Sequence, residues 1–221
     1  MRAAVYYAPA PNDPLWAAAC AWLGRDPETA ALRAQPPLED LARLTASPRL
    51  YGFHATLKPP MRLSTAYDAF MADVQGLAST QVPFDLPRLA VTNHHGFLAL
   101  RETEASPPLH ALADACVERL DAHRAPASEA ELAKRRRNGL PAEQEAMLQR
   151  WGYPYVMGTW FFHMTLSERL SEADHARLRP AAEAHFQQAL QRPRRVEALS
   201  IFTQAAPGAP FLVAERIPLG G

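Results

Sequence analysis

Two runs of the chain carry the same chemistry-bearing pattern: His54-Ala55-Thr56-Leu57 and His163-Met164-Thr165-Leu166. An unperturbed imidazole titrates near pH 6.5, so of two such rings one can be neutral while the other holds a proton. The neutral ring takes a proton from water or a hydroxyl. The charged ring gives one to a leaving oxygen, and each role is typically worth about 10²–10⁴ in rate. Two threonine hydroxyls placed between the rings would donate to non-bridging oxygens where charge develops. A tetrahedral phosphodiester, attacked on one side and cleaved on the other, fits a clamp of this shape. An acyl centre fits it less well, because no Ser or Cys nucleophile accompanies either run. Either histidine could be the base.

The pattern has a geometric consequence. Along a β-strand, residues two apart point to the same face. His54 and Thr56 therefore project together, as do His163 and Thr165, while Ala55, Leu57, Met164 and Leu166 turn toward a core. Gly52 leaves room on the polar face of the first run. Lys58 continues that face past Thr56 and Ser167 does so past Thr165, which makes Lys58 a third candidate phosphate ligand beside Thr56 and Thr165. One such run alone would be a weak signal, since a lone strand histidine is more often structural. Two runs at equivalent places of a repeated unit point to one shared site.

The elements that would hold these residues follow from periodicity and breakers. Residues 2–8 read as a strand, Pro14 to Gly24 as a helix, and Leu38, Leu41 and Leu44 as a short helical pattern. Residues 51–58 read as a strand closed by Pro59-Pro60, and 65–79 as a helix. Residues 83–92 and 96–101 form a hairpin around Asn93-His94-His95-Gly96. A helix through Leu109, Leu112, Cys116 and Leu120 follows. Residues 124–156 look like a polar helical insertion, broken at Gly139-Leu140-Pro141. Then come a strand at 159–167, a helix at 171–191 and a hairpin of 195–203 with 210–217. Strand, helix and hairpin thus occur at 51–101 and again at 159–217, which suggests two lobes of the same build. The expected class is α+β: one bilobal domain over 1–221, two antiparallel sheets backed by helices.

Composition narrows the function. Lys+Arg and Asp+Glu are 23 each in 221 residues, a net charge of zero. A protein that coats nucleic acid usually carries a basic excess, so bulk DNA or RNA binding is disfavoured. Of the cations 21 are Arg, which fits a GC-rich genome and alone says nothing of phosphate. No apolar run approaches the roughly 18 residues of a membrane span, and the first residues reach Pro9 and Pro11 too soon for a signal-peptide core. Cys20 and Cys116 lack CxxC spacing and sit in apolar helical patterns, as buried reduced thiols do. The expectation is a cytoplasmic protein.

With these residues in view, the chain resembles the two-histidine (2H) phosphoesterase superfamily, whose mark is a twin His-x-Thr-hydrophobic motif. The longer stretches Tyr51-Gly52-Phe53-His54-Ala55-Thr56-Leu57-Lys58-Pro59-Pro60 and Arg150-Trp151-Gly152-Tyr153-Pro154-Tyr155-Val156 look like a bacterial branch associated with phosphonate metabolism. The resemblance implies a bilobal, LigT-like fold whose pseudo-symmetric sheets flank an active-site cleft. It implies metal-independent attack on a small cyclic phosphodiester, with no cofactor, His54 and His163 as catalysts, and Thr56 and Thr165 holding phosphate. A ribose cyclic phosphate is the substrate it favours, with an RNA 2′,3′-cyclic end or a non-catalytic nucleotide-binding module as alternatives. Small relatives lack a segment like 124–156, which would form a lid or a substrate-specific wall.

Other residues have blander readings beside functional ones. His94-His95 reads as a solvated turn rather than a metal site, lacking a carboxylate or Cys at ligand spacing. His110, His123, His175 and His185 read as surface residues. Arg135-Arg136-Arg137 reads first as a solvated face, with a grip on a second substrate phosphate as the sharper alternative. Trp151, Trp160 and Phe161 read as packing, although Phe161 shares a face with His163.

Overall fold

A computed structural model describes residues 1–137 and 139–220. The first strand, β1 (Arg2–Tyr7), is apolar on both faces and buried almost throughout. Helix α1 (Pro14–Leu23) starts where Asp13 accepts a hydrogen bond from the Leu15 amide and Pro14 pre-sets the first turn; it ends at left-handed Gly24. Two short helices, α2 (Leu41–Leu44) and α3 (Ala46–Tyr51), lead to β2 (Ala55–Arg62). Then come α4 (Tyr67–Ala78), β3 (Phe84–Leu86), β4 (Leu89–His94), β5 (Phe97–Glu102) and α5 (Pro107–Leu120). The insertion holds α6 (Glu129–Arg136), opened by a Ser128–Glu131 capping box, and α7 (Ala142–Trp151). Asn138, within that segment, lies outside the described residues. The chain closes with β6 (Met164–Arg169), α8 (Glu172–Leu190), β7 (Arg194–Val196), β8 (Ala198–Gln204) and β9 (Leu212–Pro218).

The architecture is α+β with antiparallel sheets, ordered β2-β1-β8-β9, β4-β5-β6 and β3-β7. Helices α4 and α5 back the first sheet, while α1 and α8 back the second. The two strand-helix-hairpin stretches do not each fold into their own lobe. The β4–β5 hairpin of the first stretch pairs with the motif strand β6 of the second. The β8–β9 hairpin of the second reaches β2 through β1. The two larger sheets therefore each join a motif strand from one stretch to a hairpin from the other, so separating the halves would open both of them.

Two strand boundaries differ from those the periodicity suggests. Residue 51 ends a helix, and β2 begins at Ala55 and runs through Pro59-Pro60. A proline lacks the N–H a central strand needs, but β2 is an edge strand, where that loss is tolerated. Likewise residues 157–159 form a 3-10 turn, and β6 starts only after His163. Among the described residues no helix is long and apolar enough to cross a membrane. The main core lies between sheets and helices, and a smaller one gathers Ala4, Tyr6, Trp16, Cys20, Phe202 and Phe211 on the opposite face of β1.

Candidate active site

Both motif strands are sheet edges, and each catalytic candidate sits just before its strand begins. The His54 Nδ1 lies 2.9 Å from the Gly52 carbonyl. The His163 Nδ1 lies 3.3 Å from the Phe161 carbonyl. A carbonyl only accepts, so both Nδ1 atoms carry the hydrogen and each neutral ring presents a bare Nε2. The same residue offset thus fixes the same tautomer twice.

Aromatic packing fixes the ring planes. Tyr6 stacks on His54 at 3.7 Å between ring centroids, with Phe202 at 6.1 Å. His163 has Phe161 at 4.8 Å, with Phe97 and His94 at 6.0 Å. Two tryptophans pin the strands themselves. Trp160 donates from its indole to the Thr56 carbonyl at 2.8 Å, and Trp22 donates to the Leu166 carbonyl at 2.9 Å. Trp160 thereby ties the second motif region to the first across the cleft.

His54, Thr56, His163 and Thr165 all line one cleft of about 520 Å³. Ser167 lines it as well, although its hydroxyl is committed to the backbone, accepting from the Leu98 amide and donating to the Glu168 carbonyl. Tyr6 was not singled out by the sequence reading, yet it lines the cleft with a buried hydroxyl that has no partner among the described residues. Its signal was available: Tyr6 is one of the alternate residues of β1, and β1 pairs Tyr6 with Thr56.

Lys58 does not join them. It is 1% exposed, and its ammonium donates to Asp121 at 2.8 Å and to the Val117 carbonyl at 3.0 Å. The alternation that should carry it to the cleft is broken by a bulge. Tyr6 pairs with Thr56 but Val5 pairs with Lys58, so Leu57 is an extra residue and Lys58 turns inward with it. Lys58 is a core cation paired with Asp121, and the phosphate role expected for it is withdrawn.

Three of the other histidines have partners. His94 accepts from Arg101 at 3.2 Å and packs in the wall beside His163. Among the described residues no three His, Cys, Asp or Glu gather as metal ligands. His123, expected at the surface, is buried against Phe70, bridging the Thr65 hydroxyl and Asp73. His185 bonds to the Ala18 carbonyl. Both cysteines are buried, and burial pushes each thiol up to about 12.

Burial also sets the charge of the catalytic candidates. It lowers His54 to about 4, against the opposing pull of the Gly52 carbonyl and with a small contribution from His163. His163 is lowered too, chiefly by burial. Both rings are therefore neutral in the free protein near pH 7, and an arriving phosphate anion favours protonation of one of them. A stability effect follows. Above pH 6.5 both folded and unfolded states hold His54 neutral. Between 6.5 and about 4 only the unfolded state takes up the proton, so stability is lost as pH falls through that window. Thermal unfolding followed by circular dichroism should show Tm falling there, and His54→Gln should make the fall shallower. An unchanged slope would mean that His54 is not desolvated.

Residues 56–212 match the family described as Protein of unknown function (DUF1045). The chain is 40% identical over 231 residues to a ribose 1,5-bisphosphate phosphokinase PhnN of Janthinobacterium sp. (strain Marseille), covering 100% of this chain and 51% of that protein. It is 38% identical over 222 residues to a protein of the same name from Laribacter hongkongensis (strain HLHK9), covering 98% and 52%. The chain thus spans about half the length of these curated relatives. A crystal structure of a phosphoesterase aligns with TM-score 0.47 at 13% identity, over 100% of this chain and 99% of that one. E. coli LigT complexed with NADP+ aligns with TM-score 0.46 at 13% identity, over 100% and 98%. At those values neither structure bears on chemistry.

Proposed function

The chain belongs to the DUF1045 family, and for this member we propose hydrolysis of a small cyclic phosphodiester by paired-histidine acid–base catalysis. The observation that carries the reading is the matched pair of rings on one cleft, each tied back through Nδ1 and each free at Nε2. One Nε2 takes a proton from water as its oxygen attacks phosphorus. The other ring, protonated as the anion binds, delivers its proton to the ring oxygen that leaves. One P–O bond forms, one breaks, and the product is an acyclic phosphomonoester. Thr56 and Thr165 offer hydroxyls to the non-bridging oxygens.

The resemblance of the twin motif to two-histidine phosphoesterases supports the reading. The relatives' name speaks of a phosphorylated ribose, which favours a ribose cyclic phosphate over an RNA end, as does the zero net charge. One common cradle for a kinase's phosphates is a Gly-Lys loop. Neither Lys58 nor Lys134 follows a glycine, so we assign that activity to the half of those relatives this chain does not span. A cytoplasmic site of action goes with this reading.

Phosphorus NMR tests it. The protein in EDTA is given ribose 1,2-cyclic phosphate, nucleoside 2′,3′-cyclic phosphates and an RNA end bearing a cyclic phosphate. Conversion of the ribose compound to a phosphomonoester is the expected result. If none of the three is converted, the assignment fails.

A further inference from the structure

We propose that Arg2 and Arg135 form a second anion subsite at the far end of the catalytic cleft, and that the substrate is a small sugar-type cyclic phosphodiester bearing an additional phosphomonoester. This rests on the hydrolase reading above and specifies its substrate class.

Arg2, Ala4 and Tyr6 alternate onto one face of β1, and its pairing sets Tyr6 beside Thr56 and Arg2 beside Arg62. Both Tyr6 and Arg2 line the cleft. Four residues of strand separate the reacting end from Arg2 by about 13 Å. The long arginine side chain shortens that gap toward the span of one sugar.

Arg135 comes to the same end from the insertion. Its guanidinium sits over the Tyr153 ring at 4.4 Å, and both residues line the cleft. Among the described residues neither Arg2 nor Arg135 has a carboxylate partner. Arg2 donates its Nε to Gln204 at 2.7 Å and lays its guanidinium over the Phe211 ring at 5.3 Å. The neighbouring arginines behave differently: Arg136 is paired with Glu145, Arg124 with Asp121 and Arg62 with Glu131.

Arg2 and Arg135 are also shared with an adjoining groove of about 350 Å³, where Lys134 stands and, among the described residues, Glu131 is the only carboxylate of the lining. Glu168 and Arg169 of β6 also line the cleft and offset each other in charge, so the net positive charge of its lining comes from Arg2 and Arg135. A cyclic phosphodiester carries one negative charge, which the catalytic end takes. The two guanidiniums, each stacked on an aromatic ring but without a carboxylate partner among the described residues, suit a second, dianionic group, since Arg binds phosphate as a bidentate fork. A cleft of about 520 Å³ fits a phosphorylated sugar better than a polynucleotide.

The test compares a ribose cyclic phosphate with and without phosphate on its 5-hydroxyl. In the native protein the 5-phosphorylated compound should have a kcat/KM about 10–100-fold higher, the span expected for charge-assisted hydrogen bonds. Arg135→Gln, on an exposed helix, and Arg2→Gln should each cut that ratio, and together bring it close to one. A native ratio near one, or a ratio untouched by both substitutions, would overturn the subsite. So would a larger kcat/KM for an oligonucleotide ending in a cyclic phosphate. If no compound is turned over, the hydrolase reading fails and calorimetry decides the subsite separately. Ribose 1,5-bisphosphate should then bind at least tenfold tighter than ribose 1-phosphate, and Arg135→Gln should erase the difference. Equal affinities would overturn the subsite.

Discussion

Replacing either His54 or His163 by Ala should lower kcat on a cyclic phosphodiester by about 10³–10⁴-fold, and replacing both should lower it little further. Each ring moves a proton in the same step, and general acid or base assistance is typically worth about 10²–10⁴. Groups that act as a unit lose most of their joint effect when either is removed. The two rings are built alike: a carbonyl two residues back fixes the hydrogen on Nδ1, and aromatic neighbours fix the plane. Binding should change far less than turnover, because the threonines and arginines of the cleft remain. Single-turnover measurements with circular dichroism as a folding control would check this. A single variant keeping more than a tenth of native kcat would end the paired mechanism, and a double variant losing the product of the two single effects would show that the rings act independently.

What the sequence showed of this site is the part governed by local alternation. His54 with Thr56 and His163 with Thr165 needed only the two-residue period of a strand. Lys58 needed more, because its direction depends on a bulge created by pairing with β1 some 50 residues earlier. The exchange of hairpins between sheets is a pairing choice among four similar strands, and local pattern cannot rank those pairings. Arg135 was visible within an arginine run, but only the fold separates it from Arg136, which turns to Glu145 while Arg135 stacks on Tyr153. Trp160 reads as packing and packs, while Tyr6, which the pattern does not single out, packs against His54. The polar end of Trp160 gains meaning only beside the other half of the cleft, through a bond to the Thr56 carbonyl.

The backbone that aims His54 is the most sensitive point of the site, so Gly52→Ala should destabilise the protein and disable it together. Gly52 has φ 78° and ψ 172°, a conformation open essentially only to glycine and costing other residues on the order of 1–3 kcal/mol. An added Cβ would also lie 2.9 Å from the Cβ and Cγ of Pro27, and 3.3 Å from a ring carbon of Phe202. A proline ring cannot swing aside, so overpacking adds about 1–3 kcal/mol. Together they predict a loss of about 3 kcal/mol or more, seen as a Tm lower by roughly 6–12 °C for a chain of this size. The same peptide supplies the carbonyl that holds the His54 Nδ1. Relieving the clash by turning that peptide releases the ring, and misplacement by about 1 Å can cost about 10² in rate. Gly76→Ala is the matching control: Gly76 lies inside α4 with nothing within 4 Å of its would-be Cβ, so alanine there should stabilise by about 0.5–1 kcal/mol and leave kcat alone. Native Tm and kcat in the Gly52 variant would mean that this turn neither needs glycine nor positions His54.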